Sequence, residues 1–187
     1  DRRSLDNTQP LKYEMPWGWL YLSHNGDSPF AQEDRKELMN RGIALSTSSD
    51  SEIMLHQMGL AQTNDLLTAL KKGLRAYRGT YALCMLTSYE GEVVLIAARD
   101  PSGNRPLSVG RLGGGCVIAS ENSAFEVINA SYERDIKPGE ILIISPDGNM
   151  SSHSLLNENE TSPLHKCVYE EVYFGLPSSD VFGIPVH

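Results

Sequence analysis

Residues 80–99 constrain the fold more than any other stretch of the chain. Two apolar runs, 81–87 and 93–98, flank the tetrad Ser88-Tyr89-Glu90-Gly91. Strand-forming residues on both sides of a short glycine-containing turn are the signature of a β-hairpin. The pattern recurs twice. Residues 107–109 and 116–119 flank Gly113-Gly114-Gly115, and 139–145 and 150–155 flank Pro146-Asp147-Gly148-Asn149. Consecutive strands joined by tight turns pair antiparallel. They argue against an alternating parallel-sheet fold.

Helical signals cluster in the first half. An aromatic-rich strand is predicted over 17–23, with His24-Asn25-Gly26-Asp27 as the turn after it. Ser28 and Pro29 can open a helix over 30–40, and Gly42 can close it. Ser49 and Glu52 have capping-box spacing, which predicts a helix to about residue 58. Thr63 or Asn64 caps another through about 75, with Leu66, Leu67, Leu70 and Leu74 along one face. A short helix is expected over 123–129, a loop over 156–165 and a last strand over 168–174. The class is α+β, as one unit with no internal repeat or boundary.

Composition removes whole classes of function. The 187 residues suit about one domain. No apolar run approaches the ~20 residues of a membrane span. Sixteen basic against 24 acidic residues, net -8, provide no basic face for nucleic acid. Cys84, Cys116 and Cys167 lie 32 and 51 residues apart. That spacing suits neither a local zinc loop nor a disulfide framework. Asn129, Asn149 and Asn159 open Asn-x-Ser/Thr triplets, read as chance matches without a secretory signal.

Few residues point to chemistry on their own. Gly113-Gly114-Gly115 lacks the Lys-Ser/Thr of a phosphate loop and reads as a hairpin turn. Asn25 and Gly26 could offer a side-chain amide and a close backbone N–H to an oxyanion, or simply form a turn. Asp50, at a helix start, is either a carboxylate favoured by the helix dipole or a partner for a cationic substrate group. Asp100 and Arg105 are expected to clamp their own turn-rich loop. No nucleophile–base pair follows from spacing.

Taken in order, these segments resemble the glutaminase domain of class II glutamine amidotransferases. The resemblance is carried by Asn7-Thr8-Gln9-Pro10, His24-Asn25-Gly26 and Thr47-Ser48-Ser49-Asp50-Ser51-Glu52. Within that family, Arg99-Asp100-Pro101-Ser102-Gly103-Asn104-Arg105-Pro106-Leu107 looks like the R-D-P-x-G-x-R-P-L stretch of amidophosphoribosyltransferases. Ser120-Glu121-Asn122-Ser123-Ala124-Phe125, Pro138-Gly139-Glu140 and residues 167–174 are similar to the same group. The resemblance covers essentially the whole chain. It implies an N-terminal-nucleophile hydrolase fold, a four-layer αββα sandwich of antiparallel sheets, here without its first strands.

The resemblance also implies roles. Such domains hydrolyse glutamine through a thioester on an N-terminal cysteine whose α-amino group is the base. Asn25 and Gly26 would form the oxyanion hole, and Asp50 would bind the substrate ammonium. The parent reaction, the first committed step of purine synthesis, takes glutamine and phosphoribosyl pyrophosphate to phosphoribosylamine, glutamate and diphosphate. The cysteine and an H-x-R-Y-[SA]-T stretch are expected before Asp1, which cannot replace them, so the chain alone should be inactive. A phosphoribosyltransferase domain using Mg2+ is expected after residue 187. No cofactor is expected in residues 1–187 themselves. Cys167 matches a position that ligates a 4Fe–4S cluster in some members, and clusterless members also carry cysteine there. Glutamine, the second domain and further copies of the chain are the expected partners. The expected compartment is the cytoplasm, or a plastid if a transit peptide precedes the chain. Departures are Asp27 and Pro29-Phe30 after H-N-G, and Leu176 and Ser178 where the family has arginine and aspartate. They keep two alternatives in view: a degenerate, non-catalytic glutaminase-like binding module, and another class II enzyme such as glucosamine-fructose-6-phosphate synthase.

Overall fold

The computed structural model describes residues 5–157 and 159–186. Strands β1 (Leu11–Met15) and β2 (Gly18–Asp27) are followed by helices α1 (Ala31–Asn40), α2 (Ser51–Gly59) and α3 (Leu66–Ala76). The central hairpin is β3 (Thr80–Tyr89) and β4 (Glu92–Arg99). Strands β5 (Ser108–Leu112) and β6 (Gly115–Ala119), helix α4 (Ser123–Val127) and strand β7 (Ser131–Asp135) come next, then β8 (Glu140–Ile144) and β9 (Met150–Ser154).

All three hairpins expected from sequence form. Ser88 pairs with Val93 and Tyr89 with Glu92, leaving Glu90 and Gly91 as a two-residue turn. The larger sheet has the order β1-β2-β3-β4-β8-β9 and the smaller one β6-β5-β7. Every pairing in both is antiparallel.

Strand alternation divides the core in two. Leu20, Leu22, Leu83, Met85, Ile96, Ile141 and Ile143 meet Ile53, Met54, Leu66 and Leu70 of α2 and α3. The opposite face, with Ala82, Ala97, Leu142 and Ile144, meets Val109 of the small sheet. Phe125 of α4 lies against Gly110, which neighbours Val109 and so faces away from that core. The layer order is helices, large sheet, small sheet, helix. The small sheet leaves part of the large one uncovered. Trp19, Leu86 and Val93, on the same face as Ala82 and Ala97, stay exposed.

Four local readings change. His24-Asn25-Gly26-Asp27 is not a turn: β2 runs through it and pairs with residues 80–83 of β3. The ladder supplies more hydrogen bonds than an isolated turn could, so tertiary pairing overrides the local signal. Strands β1 and β7 carry too many polar residues to stand out: β1 has one wet face, and β7 is exposed or half-buried along its whole length. Residues 168–174 are not a strand but a helical turn whose regular part is Glu170–Phe174. There Val172 and Tyr173 face outward, and it is Glu170 that is buried. The capping box is also absent. Glu52 turns back to residues 46 and 47, while Ser51 N–H donates to the Ser49 hydroxyl. The end of α1 does match expectation: Gly42 (φ 81) closes it, with Gly42 N–H to Met39 C=O and Ile43 N–H to Leu38 C=O. Helix α3 starts one or two residues later than expected, its N–H of Thr68 capped by Asp65 at 2.7 Å.

Candidate active site

The end of β2 and the segment leading into α2 border one cleft of about 800 Å3. Gly26 and Asp27 line one side and Ser48, Ser49 and Asp50 the other, with Arg35 and Lys36 of α1 forming a wall. Three links set this geometry. Asn7 Nδ2 donates to Ser48 Oγ at 2.8 Å, and Ser48 N–H donates to Asn7 Oδ1 at 3.0 Å. Gln9 Oε1 accepts from His24 N–H at 2.6 Å. The segment 7–9 therefore ties the Asp50 loop to the H-N-G strand.

A buried polar frame holds the loop from below. Glu52 has no side-chain exposure. It accepts from Ser46 N–H at 2.6 Å, from Thr47 N–H and Oγ1 at 3.0 Å each, and from the Tyr13 hydroxyl. Burial alone would raise this carboxyl, but those donors outweigh it and hold it below the usual carboxylate range. Arg35 reaches in from α1 and donates to the carbonyls of Ser49, at 3.2 Å, and Thr47. With its loop anchored this way, Asp50 keeps a carboxylate, 20% exposed, on the cleft.

On the strand, alternation splits the H-N-G triplet. His24 turns towards the helices: its Nδ1 is 3.0 Å from Ser51 Oγ and 3.8 Å from Asp50 Oδ1. Asn25 turns to the other face and donates from Nδ2 to Ser120 Oγ at 3.2 Å. Gly26 has no room for a side chain, since a Cβ there would lie 2.1 Å from Thr80 O and 2.4 Å from His24 Nε2. Glycine is required here by close approach. Of the three residues expected to act together, Gly26 and Asp50 line the cleft, while the Asn25 side chain turns to the opposite face beside them, with His24 between strand and loop. Ser51 and Ser120 enter the sequence reading only as members of motif stretches, with no role of their own, and Tyr77 and Arg35 carry no sequence signal.

Other candidates lie elsewhere. Cys84 sits in mid-sheet opposite Ser23 and Ala97, its thiol pushed up by burial. Cys116 lies 3.1 Å from Arg111 Nη1, and Cys167 N–H donates to Asn104 C=O. None of the three lines the cleft. Among the described residues no group of three or more His, Cys, Asp or Glu could hold a metal ion. Asp100 and Arg105 do not clamp each other. Asp100 accepts from Ser102 and Asn104 N–H, and Arg105 pairs with the buried Glu170.

A family model for the glutamine amidotransferase domain matches residues 3–127, well over half of the chain and including every residue of the cleft. The chain belongs to the glutamine amidotransferase domain family. Among similar proteins, the amidophosphoribosyltransferase of Bacillus subtilis is 38% identical over 183 residues, covering 97% of this chain and 37% of that protein. The amidophosphoribosyltransferase of Methanocaldococcus jannaschii is 33% identical, covering 99% of this chain and 41% of its own length. Amidophosphoribosyltransferase 2, chloroplastic, of Arabidopsis thaliana is 34% identical and covered to 31%. The chain therefore spans about a third of the length of these relatives. A solved structure of glutamine phosphoribosylpyrophosphate amidotransferase from Bacillus subtilis, complexed with ADP and GMP, superposes with a TM-score of 0.86 at 37% identity over 98% of this chain and 39% of that one. The αββα layering is accordingly that of the N-terminal-nucleophile hydrolase domain of these amidotransferases. Among the described residues no helix is long and apolar enough to cross a membrane.

Proposed function

We propose that this amidotransferase domain is the glutamine-hydrolysing part of an amidophosphoribosyltransferase. The observation that supports it is the convergence of Gly26 and Asp50 on one cleft, with Asn25 beside them. Asp50 takes the substrate ammonium as a charge-assisted pair. Asn25 Nδ2 and Gly26 N–H receive the oxyanion once Asn25 exchanges its bond to Ser120 for one to substrate. The nucleophile is a cysteine thiolate from a part of the longer protein outside residues 1–187. It attacks the glutamine amide carbon and the carbonyl becomes the oxyanion. Collapse expels ammonia, leaving a thioester, which water hydrolyses to glutamate. The proton needed by the leaving ammonia comes from the cysteine's own α-amino group.

The remaining parts of the reading follow from this placement. Ammonia would pass to a phosphoribosyltransferase domain of the same protein, which uses Mg2+ and phosphoribosyl pyrophosphate. The exposed Trp19, Leu86 and Val93 fit further strands laid beside the small sheet. A 4Fe–4S cluster would take Cys167 from these residues and its other ligands from the rest of the longer protein, since the described residues hold no group of three or more candidate ligands. Assembly into dimers or tetramers, in the cytoplasm or a plastid, completes the proposal.

Full-length protein should hydrolyse glutamine and lose that activity on Asp50→Ala or Asn25→Ala, whereas residues 1–187 alone should turn over none. Glutamine binding by the full-length protein without turnover would instead favour a degenerate binding module.

A further inference from the structure

Asp50 is braced on one carboxylate oxygen by Tyr77 and approached on the other by His24, two residues that have no role assigned so far. Tyr77, directly after α3, donates from its hydroxyl to Asp50 Oδ2 at 3.0 Å. It is buried, and burial together with the Asp50 charge pushes its phenol well above the ordinary tyrosine value, so it remains a donor. Oδ1 faces His24 Nδ1 at 3.8 Å, too far for a hydrogen bond. The His24 ring is 2% exposed and packs edge-on against Tyr77 at 6.1 Å between centroids.

The ring's two nitrogens have different tasks. Nε2 lies 3.2 Å from Thr80 C=O, which can only accept, so Nε2 carries the proton. Nδ1 then accepts from the Ser51 hydroxyl at 3.0 Å. The same Nε2 occupies the space a Gly26 side chain would need. One imidazole thus packs against the oxyanion strand and the ammonium-binding loop together.

We propose that Tyr77 and His24 are positioning residues that hold the Asp50 carboxylate for the substrate's ammonium group, an inference that rests on the glutaminase reading above. Tyr77 fixes the carboxylate by donation. Neutral His24 fixes the loop through Ser51 and leaves Oδ1 free for substrate. A protonated His24 would present N–H to Oδ1, drop the Ser51 bond and compete with the incoming ammonium.

The groups facing His24 are Asp50 before α2, Asp27 on β2, Tyr77 after α3, and Arg105 from the loop after β4. Burial lowers its pKa, against the pull of Asp50, the Thr80 carbonyl and Asp27. His24 therefore becomes charged only below the ordinary histidine range, and glutamine affinity should fall there.

The test is steady-state glutaminase kinetics of the full-length protein from pH 5 to 8, with melting curves for each variant. Tyr77→Phe, nearly isosteric, should raise KM for glutamine about tenfold, the usual worth of a hydrogen bond to a charged group, and leave kcat within about threefold. In wild type, KM should rise as pH falls below the ordinary histidine range, separately from the fall in kcat that protonation of the cysteine's α-amino base brings. His24→Gln should remove that acid rise in KM. Suppose wild type turns over glutamine and Asp50→Ala abolishes it, yet Tyr77→Phe leaves KM within twofold and the acid limb survives His24→Gln. The positioning role is then wrong and the glutaminase reading stands. Absence of turnover in wild type overturns both. If His24→Gln fails to melt cooperatively, Tyr77→Phe and the wild-type pH profile still decide the matter.

Discussion

Two loops of this domain look alike as sequence and behave differently as structure. Residues 46–52 and 99–106 are both rich in turn residues, and each is served by an arginine and a carboxylate. In the second loop Asp100 and Arg99 are both taken up by structural partners. Asp100 accepts from Ser102 N–H at 2.9 Å, from Asn104 N–H at 3.1 Å and from the Ser102 hydroxyl. Arg99 donates to the carbonyls of Gly103, Arg105 and Ile136 at 2.7–3.0 Å. In the first loop the work is divided. Glu52 and Arg35 hold the backbone, and Asp50 stays on the cleft with capacity for one more donor. A buried charge whose lone pairs or protons are all taken by its own loop is framework. A charge whose neighbours do the holding can bind something else.

That contrast is most sharply tested by swapping the consequences of two similar substitutions. Asp50→Ala in the full-length protein should lower kcat/KM for glutamine by at least about a hundredfold, the cost of removing one partner of a buried ionic contact. It should lower the melting temperature only modestly, since the Tyr77 hydroxyl is the one buried donor that loses its partner among the hydrogen bonds described above. Asp100→Ala should do the reverse, destabilising by about 3–5 kcal/mol because it strips the shared acceptor from the amides of Ser102 and Asn104, at about 1–3 kcal/mol each. Protein that still folds should turn over glutamine normally. Urea melts beside glutaminase assays separate the two, and equal loss of stability in both would erase the distinction.

Asn25→Ala is expected to cost about 2.7–4 kcal/mol in kcat, with KM nearly unchanged, since it removes an oxyanion donor and no ground-state contact. Ser120→Ala should have a much smaller effect, because Ser120 only holds the resting amide. A large effect of Ser120→Ala would mean that the serine stays engaged in the transition state.

Arg35→Met bears on the frame of the first loop. It deletes charge-assisted donation to Ser49 and Thr47 while keeping the apolar stem, and should destabilise by about 1.5–3 kcal/mol. Because Asp50 sits on that loop, KM should rise as well. The analogous Arg99→Met should lower stability by more and leave KM alone in folded protein.

How much of this was legible beforehand depended on which forces were local. The hairpin at Glu90-Gly91, the stop at Gly42 and the antiparallel class are set within a few residues, and each was readable. The H-N-G triplet misled because Asn-Gly is a strong local turn signal, while its strand state is imposed by β3, more than fifty residues away. Residues 168–174 misled because their valines and aromatics have the composition of a strand. The buried member there is Glu170, and its partner Arg105 cannot be found by periodicity. The site's named residues were reached through motifs. The residues that hold them, Arg35, Ser51, Tyr77 and Ser120, come from four different segments and meet only in the fold.

The smallest expected effect concerns acid. Glu52 is held below the ordinary carboxylate pKa in the folded state, so the unfolded chain binds its proton at higher pH. Its contribution to stability is therefore complete above about pH 4.5 and is lost as pH falls through its folded pKa. Glu140 behaves similarly. Burial would raise it, but Arg134, Lys137 N–H and Ser152 together pull it down. Glu52→Gln should lower stability at pH 7, since an amide cannot replace four accepted bonds. It should also flatten the acid limb by about one proton's worth of slope, with the Glu140 share remaining. Urea-derived stabilities between pH 5.5 and 3.5 measure both effects. Parallel acid limbs in wild type and Glu52→Gln would mean that this carboxyl is not the one holding the loop, and that the frame beneath Asp50 is no more charge-dependent than the closed loop at Asp100.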